Sequence, residues 1–318
     1  MERSTGVNTT RRQFVKILEL AAGTGLFSRS SLFASKTGIV PTMVNAAAKA
    51  KITTQPVRRG ISVVQGSGGN IAVLTGKDGK LIVDAGFAVS RPGIASTLEA
   101  ISSDPIKHLI NTHWHTDHTD GNEWLHSVGA TITAHENTKK HLSVPTRVEA
   151  WQWTFPPASP GALPVDVFAV DHSICRNDTC IALKFYGPAH TDSDIQVHFT
   201  EADVVHLGDT WWNGDYPFID YSTGGSIAGQ IQAAEANLSK FSDRTIFIPG
   251  HGAIGRKSDV AEYRDMLVVV STKVAALKKQ GRSLQETIAA KPTAQFDEKW
   301  GQFLTTPAAF TGYVYAGV

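Results

Sequence analysis

His113-Trp114-His115-Thr116-Asp117-His118 packs three imidazoles and a carboxylate into six residues, directly after an apolar, strand-like run at residues 107–112. Imidazole and carboxylate at this density form the donor set of a divalent-cation site. His113 and His115 stand two apart, so in an extended segment they point the same way and can both reach one ion. Asp117 and His118 lie past the turn and can face a second ion. Downstream, single His and Asp residues recur in Gly-containing turns, each behind an apolar run: Gly187-Pro188-Ala189-His190-Thr191, Leu207-Gly208-Asp209-Thr210 and Pro249-Gly250-His251-Gly252. Each turn places one candidate ligand where a strand is expected to end.

In that order, His-x-His-x-Asp-His, Gly-x-x-His-Thr, Gly-Asp and Pro-Gly-His-Gly, the motifs resemble the metallo-β-lactamase fold superfamily over roughly residues 60–263. Val83-Asp84-Ala85-Gly86 resembles the Asp-containing strand end that precedes the metal motif in that family. The resemblance implies that His113, His115 and His190 hold one metal, that Asp117, His118 and His251 hold the other, and that Asp209 bridges them. Asp84 is expected beside the ligands, accepting a hydrogen bond from one imidazole and fixing its tautomer. The fold it implies is α/β: a four-layer αβ/βα sandwich of two mixed sheets with helices on the outer faces.

A donor set without thiolate suits zinc and tolerates iron or manganese, so two Zn2+ per chain are expected. Two cations about 3.5 to 4 Å apart can share a hydroxide, lower its pKa towards neutrality and polarise a carbonyl. Asp117 can orient that hydroxide. The chain therefore reads as a metal-dependent hydrolase, a dinuclear zinc enzyme attacking a carbonyl substrate such as a lactone, thioester or amide. Its bridging Asp209 resembles the lactonase and glyoxalase II branches, and residues 207–214 with 221–227 resemble exported quinoprotein-relay-like proteins.

Three other readings compete. In the thiolate-using β-lactamases a Cys stands where this chain has Asp209. An iron-dependent oxidoreductase of the persulfide dioxygenase kind leaves the second metal site unfilled, whereas His118 and His251 are both present here. A binding protein on a retired scaffold would be expected to have lost ligands that this chain keeps.

The elements that must position these groups follow from length and pattern. A chain of 318 residues with 42% apolar content can bury one large core, and 30 basic against 29 acidic side chains leave no strong field. No basic stripe with interleaved aromatics is visible, so a small-molecule substrate is expected and nucleic acid is not. Nor does any segment beyond residue 50 have the roughly 20 uninterrupted apolar residues of a membrane span. Oligomeric state is not legible.

Thr10-Arg11-Arg12-Gln13-Phe14-Val15-Lys16 resembles the twin-arginine export signal and precedes a weakly apolar stretch at residues 17–33. Residues 1–50 are thus expected to be a leader and linker, with the mature protein periplasmic or secreted. Residues 51–318 then form one domain, with 280–318 as a C-terminal extension carrying a helix near 284–290.

Short apolar runs at residues 61–64, 71–74, 81–83, 109–110 and 130–134 predict strands, alternating with helical patterns at 91–101 and 120–128. Asp120 with Glu123 three residues later reads as a helix start behind the metal loop. A hairpin is expected between residues 165–168 and 181–184, with Asn177-Asp178 at its tip. Cys175 and Cys180 flank that tip and could close as a structural disulfide or remain inert thiols. Further helices are expected at 227–241 and 259–279.

The segment from Asp209 to Tyr221 starts at the bridging carboxylate, so Trp211, Tyr216 and Tyr221 are expected to line a substrate pocket. Tyr216 or Tyr221 could donate a hydrogen bond to a developing oxyanion. A second aromatic cluster, Trp151-Gln152-Trp153-Thr154-Phe155, lies in a Pro-rich excursion at residues 145–164 and reads as a flap. Both clusters point to an apolar or aromatic substrate.

Overall fold

Strands that are apolar at every position must be covered on both faces, and Ile71–Leu74 and Lys80–Val83 are buried throughout. The structure, a computed structural model describing residues 38–318, covers them with a second sheet on one side and helices on the other. Helix α1 (Ile39–Ala47) leads into strands β1 (Thr53–Pro56), β2 (Ile61–Gln65), β3 (Ile71–Leu74) and β4 (Lys80–Val83). There follow α2 (Arg91–Ile101), β5 (Ile106–Ile110), the single turn α3 (Thr116–Thr119), α4 (Asn122–Ser127), β6 (Thr131–His135) and α5 (Glu136–Ser143). A small hairpin, β7 (Thr146–Val148) with β8 (Trp153–Phe155), precedes β9 (Asp166–Phe168). The first sheet runs β1-β2-β3-β4-β5-β6-β9, antiparallel as far as β4 and parallel beyond it.

The second half contains β10 (Asp171–Arg176), β11 (Thr179–Phe185), β12 (Ile195–Phe199), β13 (Val204–His206), β14 (Trp212–Asn213), α6 (Ile227–Lys240), β15 (Ile246–Ile248) and β16 (His251–Gly252). Helices α7 (Lys257–Lys279), α8 (Leu284–Ala289), α9 (Asp297–Trp300) and α10 (Pro307–Gly317) end the chain. The second sheet runs β10-β11-β12-β13-β15, with β13 and β15 parallel.

Within each strand, side chains alternate between two cores. Val63, Leu81, Val83 and Ile110 turn inward to meet Ile181, Leu183, Val197 and Ile248 of the second sheet. Val64, Val73, Ile82 and Leu109 turn outward beneath Leu98 of α2 and Trp124 and Leu125 of α4. On the far side, Val205 and Phe247 pack under α6 and α7 through Ala234, Val260 and Met266. Each fully buried aliphatic side chain contributes about 1.5–3 kcal/mol. The result is the four-layer αβ/βα sandwich. No helix of the described residues is long and apolar enough to cross a membrane.

Four expectations are corrected. The hairpin pairs β10 with β11, and residues 166–168 instead pair in parallel with β6 in the other sheet. Asn177 and Asp178 both take positive φ (54° and 58°), a two-residue turn that sets Arg176 opposite Thr179 and brings Cys175 opposite Cys180, which are joined as a disulfide. Asp120 does not cap α4, whose cap position is Gly121; its carboxylate accepts from the Ala88 amide at 2.8 Å, while Glu123 meets the Ser159 hydroxyl.

The N-terminal boundary shifts as well. Residues 1–37 of the expected leader lie outside the described residues, but the last part of the expected linker is folded. In α1, Val40, Ala46 and Ala47 are buried, and the Ser90 hydroxyl donates to the Ala47 carbonyl at 3.1 Å. Finally, residues 280–318 are integral to the second core, where Trp300, Phe310 and Val314 are buried.

Candidate metal centre

The site forms where strand ends of the two sheets meet. His113 and His115 follow β5, Asp117 and His118 ride on α3, His190 follows β11, Asp209 follows β13, and His251 opens β16 behind β15. Three groups of donor atoms, each within 4.8 Å of one another, result: His113 with His115 and His190, His113 with His118 and Asp209, and Asp117 with His118 and His251. Asp209 lies between the outer two groups. Its Oδ1 is 3.1 Å from His118 Nε2, and its Oδ2 is 3.4 Å from His190 Nε2 and 3.3 Å from His251 Nε2. Asp117 Oδ2 stands 3.2 Å from His251 Nε2 and 3.5 Å from His118 Nε2.

Hydrogen bonds behind the imidazoles decide which nitrogen faces inward. Asp84 Oδ2 accepts from His118 Nδ1 at 2.7 Å and from the Thr112 hydroxyl at 2.7 Å. Because Thr112 spends its proton on Asp84, its oxygen accepts from His113 Nδ1 at 3.1 Å. His190 Nδ1 donates to the Phe218 carbonyl at 2.8 Å, and His115 Nε2 donates to Asp220 Oδ2 at 3.1 Å. With those protons committed, His113 Nε2, His190 Nε2 and His115 Nδ1 turn lone pairs towards one space, which His118 Nε2 also faces.

That arrangement is a fit test for a cation. His115 Nδ1 and His190 Nε2 face each other at 2.8 Å. Two neutral imidazoles so committed have no proton to share there. His113 Nε2 is likewise buried without a hydrogen-bond partner, and His118 Nε2 and Asp209 Oδ1, though 3.1 Å apart, are not aligned to bond each other. Orphaned buried atoms of this kind cost free energy unless a ligand satisfies them. Nitrogen and carboxylate donors converging in this way fit a divalent metal.

Electrostatics follow the same division. Burial, with the neighbouring His118, pushes His113 well below the usual imidazole value, and burial takes His190 down to about 4. Burial opposes charge on His118 and His251 too, yet Asp117, Asp209 and Asp84 hold His118 well above its ordinary value. Asp209 and Asp117 likewise raise His251 to about 9. Asp209 stays well below the carboxylate range despite its burial, because His251, His118 and His190 surround it.

Close backbone approach makes this packing possible. A Cβ at Gly69 would collide with the His118 ring, and one at Gly250 with Asp209 Oδ1. Asn70 locks the Pro249-to-Gly252 turn: its amide nitrogen donates to Pro249 O at 2.8 Å and Gly252 O at 3.0 Å, and its backbone N–H to Gly250 O at 2.7 Å. His206 Nε2 donates to Asn70 O at 2.9 Å while its Nδ1 accepts from the Gly208 amide at 3.0 Å. Sequence reading missed Thr112, Asp220, Asn70 and His206. The nearest signal was the Gly68-Gly69-Asn70 turn after β2; Asp220 carried none.

The expected pocket aromatics are placed elsewhere. Trp211 is fully buried against Phe247 in the second core. Tyr216 is also fully buried, stacked on Phe310 with its hydroxyl donating to Asp297 at 2.9 Å; burial, with that bond, pushes its ionisation far up. Tyr221 lies against Ile227 and Gly317 of α10. Other rings meet the imidazoles instead: Trp212 lies 4.4 Å from His251 between ring centroids, Phe218 5.9 Å from His115, and Trp151 of the second aromatic cluster 5.2 Å from His115.

Residues 64–254 match the model of the metallo-β-lactamase superfamily, and the chain belongs to that superfamily. Among solved structures it is similar to a metallo-β-lactamase from Pontibacter korlensis, at 15% identity and TM-score 0.55 over 68% of this chain and 98% of that one. The DIM-1 metallo-β-lactamase gives 19% identity and TM-score 0.55 over 69% and 98%. The stereoselective inverting sec-alkylsulfatase Pisa1 from a Pseudomonas species gives 15% identity and TM-score 0.62 over 90% of this chain but 53% of its own length. At these identities the likeness is one of fold. The chain combines that fold with a His/Asp cluster able to bind metal.

Proposed function

We propose that this chain is a dinuclear zinc hydrolase acting on a carbonyl substrate such as a lactone, thioester or amide. The observation that carries the reading is Asp209, whose two oxygens lie within 3.4 Å of imidazole nitrogens belonging to both donor groups. His113, His115 and His190 would hold one ion, Asp117, His118 and His251 the other, with Asp209 shared. Two such ions supply an activated water and a Lewis acid for the carbonyl oxygen.

The protein does the rest. Asp84, Thr112, Asp220 and the Phe218 carbonyl hold the imidazoles in the tautomers that bind metal. Asp117, at the more accessible edge of the cluster, orients the attacking water and takes up its proton. Burial of the other donors keeps bulk water from competing. The Cys175–Cys180 disulfide supports export to an oxidising compartment.

Elemental analysis of the purified protein, followed by a panel of lactones, thioesters, amides and β-lactams, tests the proposal. Two zinc ions per chain with turnover of a carbonyl substrate are expected. A single iron with oxygen consumption would replace this reading with an oxidoreductase.

A further inference from the structure

The superfamily match ends at residue 254 and begins at residue 64, yet segments outside both limits return to the site. Val40 and Met43 of α1, and Phe303 and Tyr313 near the C-terminus, share one apolar cluster with Trp212 and Phe218. This cluster borders the metal donors. Phe303 lies 6.5 Å from the His251 ring and 6.3 Å from Trp212, and Tyr313 lies 5.3 Å from Phe218.

Accessibility shows which border matters. His113, His115, His118 and His190 are at most 1% exposed, whereas the side chains of His251 and Asp117 are 12% and 10% exposed. A substrate therefore reaches the centre over the His251–Asp117 edge, where Trp212 and Phe303 stand. The charges acting on those two residues are chiefly those of Asp209, His118 and each other. The rings of Trp212 and Phe303 pack against His251 at this edge.

Building on the hydrolase reading, we infer that the terminal segments select a carbonyl compound bearing an alkyl or aryl group, whose apolar part lies against the half-buried Phe303 beside His251. Burial of hydrocarbon supplies the affinity, and the metal-facing edge supplies the chemistry.

The test is calorimetric titration of the zinc-loaded, full-length chain with straight-chain carboxylates from acetate to octanoate, which resemble hydrolysis products. Affinity should rise about threefold to fourfold for each added methylene. Phe303→Ala, checked for folding by circular dichroism, should flatten that rise. Affinity independent of chain length in the unaltered protein would overturn the inference, whatever the variant does. A parallel assay on lactones of increasing side-chain length separates the two claims. Rising affinity without hydrolysis of any carbonyl substrate would leave the apolar enclosure standing and sink the hydrolase. Hydrolysis indifferent to chain length would do the reverse.

Discussion

Asp84 accepts a hydrogen bond from His118 Nδ1 at 2.7 Å, and through the Thr112 hydroxyl the same carboxylate also commits His113. One side chain thus sets the tautomers of two imidazoles, one in each outer donor group. Asp84→Asn keeps the shape but offers one acceptor oxygen in place of two. Metal affinity should fall about 10- to 100-fold, read by competition with a chromogenic chelator. Unchanged affinity would mean that Asp84 only packs.

His251 reaches both Asp117 and Asp209. His251→Ala should leave the fold intact, reduce the bound metal to one ion per chain and remove most of the activity, as should Asp117→Asn without the loss of fold. Full turnover by His251→Ala with a single ion would show the dinuclear mechanism to be wrong.

Asn70 is a hub for the turn that carries His251. Asn70→Ala strips hydrogen bonds from the Pro249 and Gly252 carbonyls, a loss of about 1–3 kcal/mol when a buried group is left unpaired. Urea denaturation should show that loss, and zinc titration should show selective weakening of one ion. Equal weakening of both ions would mean a general loss of structure.

Removing metal exposes the charges the ions would balance. In the metal-free protein Asp209 and Asp117 raise His251 from 6.5 to about 9. A raised folded-state pKa stabilises fully below the unfolded value and loses its contribution as pH climbs through the folded one. Chelated protein should therefore lose thermal stability between about pH 6.5 and 9. His190, depressed to about 4, acts in the opposite sense, losing its contribution as pH falls, and so lies outside this window. A melting temperature flat from pH 6.5 to 9 after chelation would contradict the charge arrangement. Zinc uptake in that window should also release protons.

Truncation tests where the fold begins. Removing residues 1–37 should leave the melting temperature unchanged, whereas removing residues 1–50 also deletes α1 with its buried Val40. That one side chain contributes about 1.5–3 kcal/mol. Identical melting temperatures for the two truncations would place α1 outside the cooperative core.

Much of this centre was legible because its signals are local. Two histidines at i and i+2, or a Gly beside a His at the end of an apolar run, carry meaning within a few residues, and the β3, β4 and β15 patterns are just as short. The choice of Trp212 over Trp211 was not legible. Neighbouring residues in an extended segment face opposite ways, and the register of β14, with Trp212 paired to His251, decides which one meets the site. Likewise His115 finds Asp220 across 105 positions, and Asn70 finds His206 across 136. By itself the sequence determined the His and Asp residues that the fold gathers into one cluster, the strands that precede them and the superfamily. Tertiary structure alone decided which nitrogen of each imidazole faces inward and which aromatics border the site. Those depend on partners that only the packing of two sheets and both chain ends brings within hydrogen-bond reach.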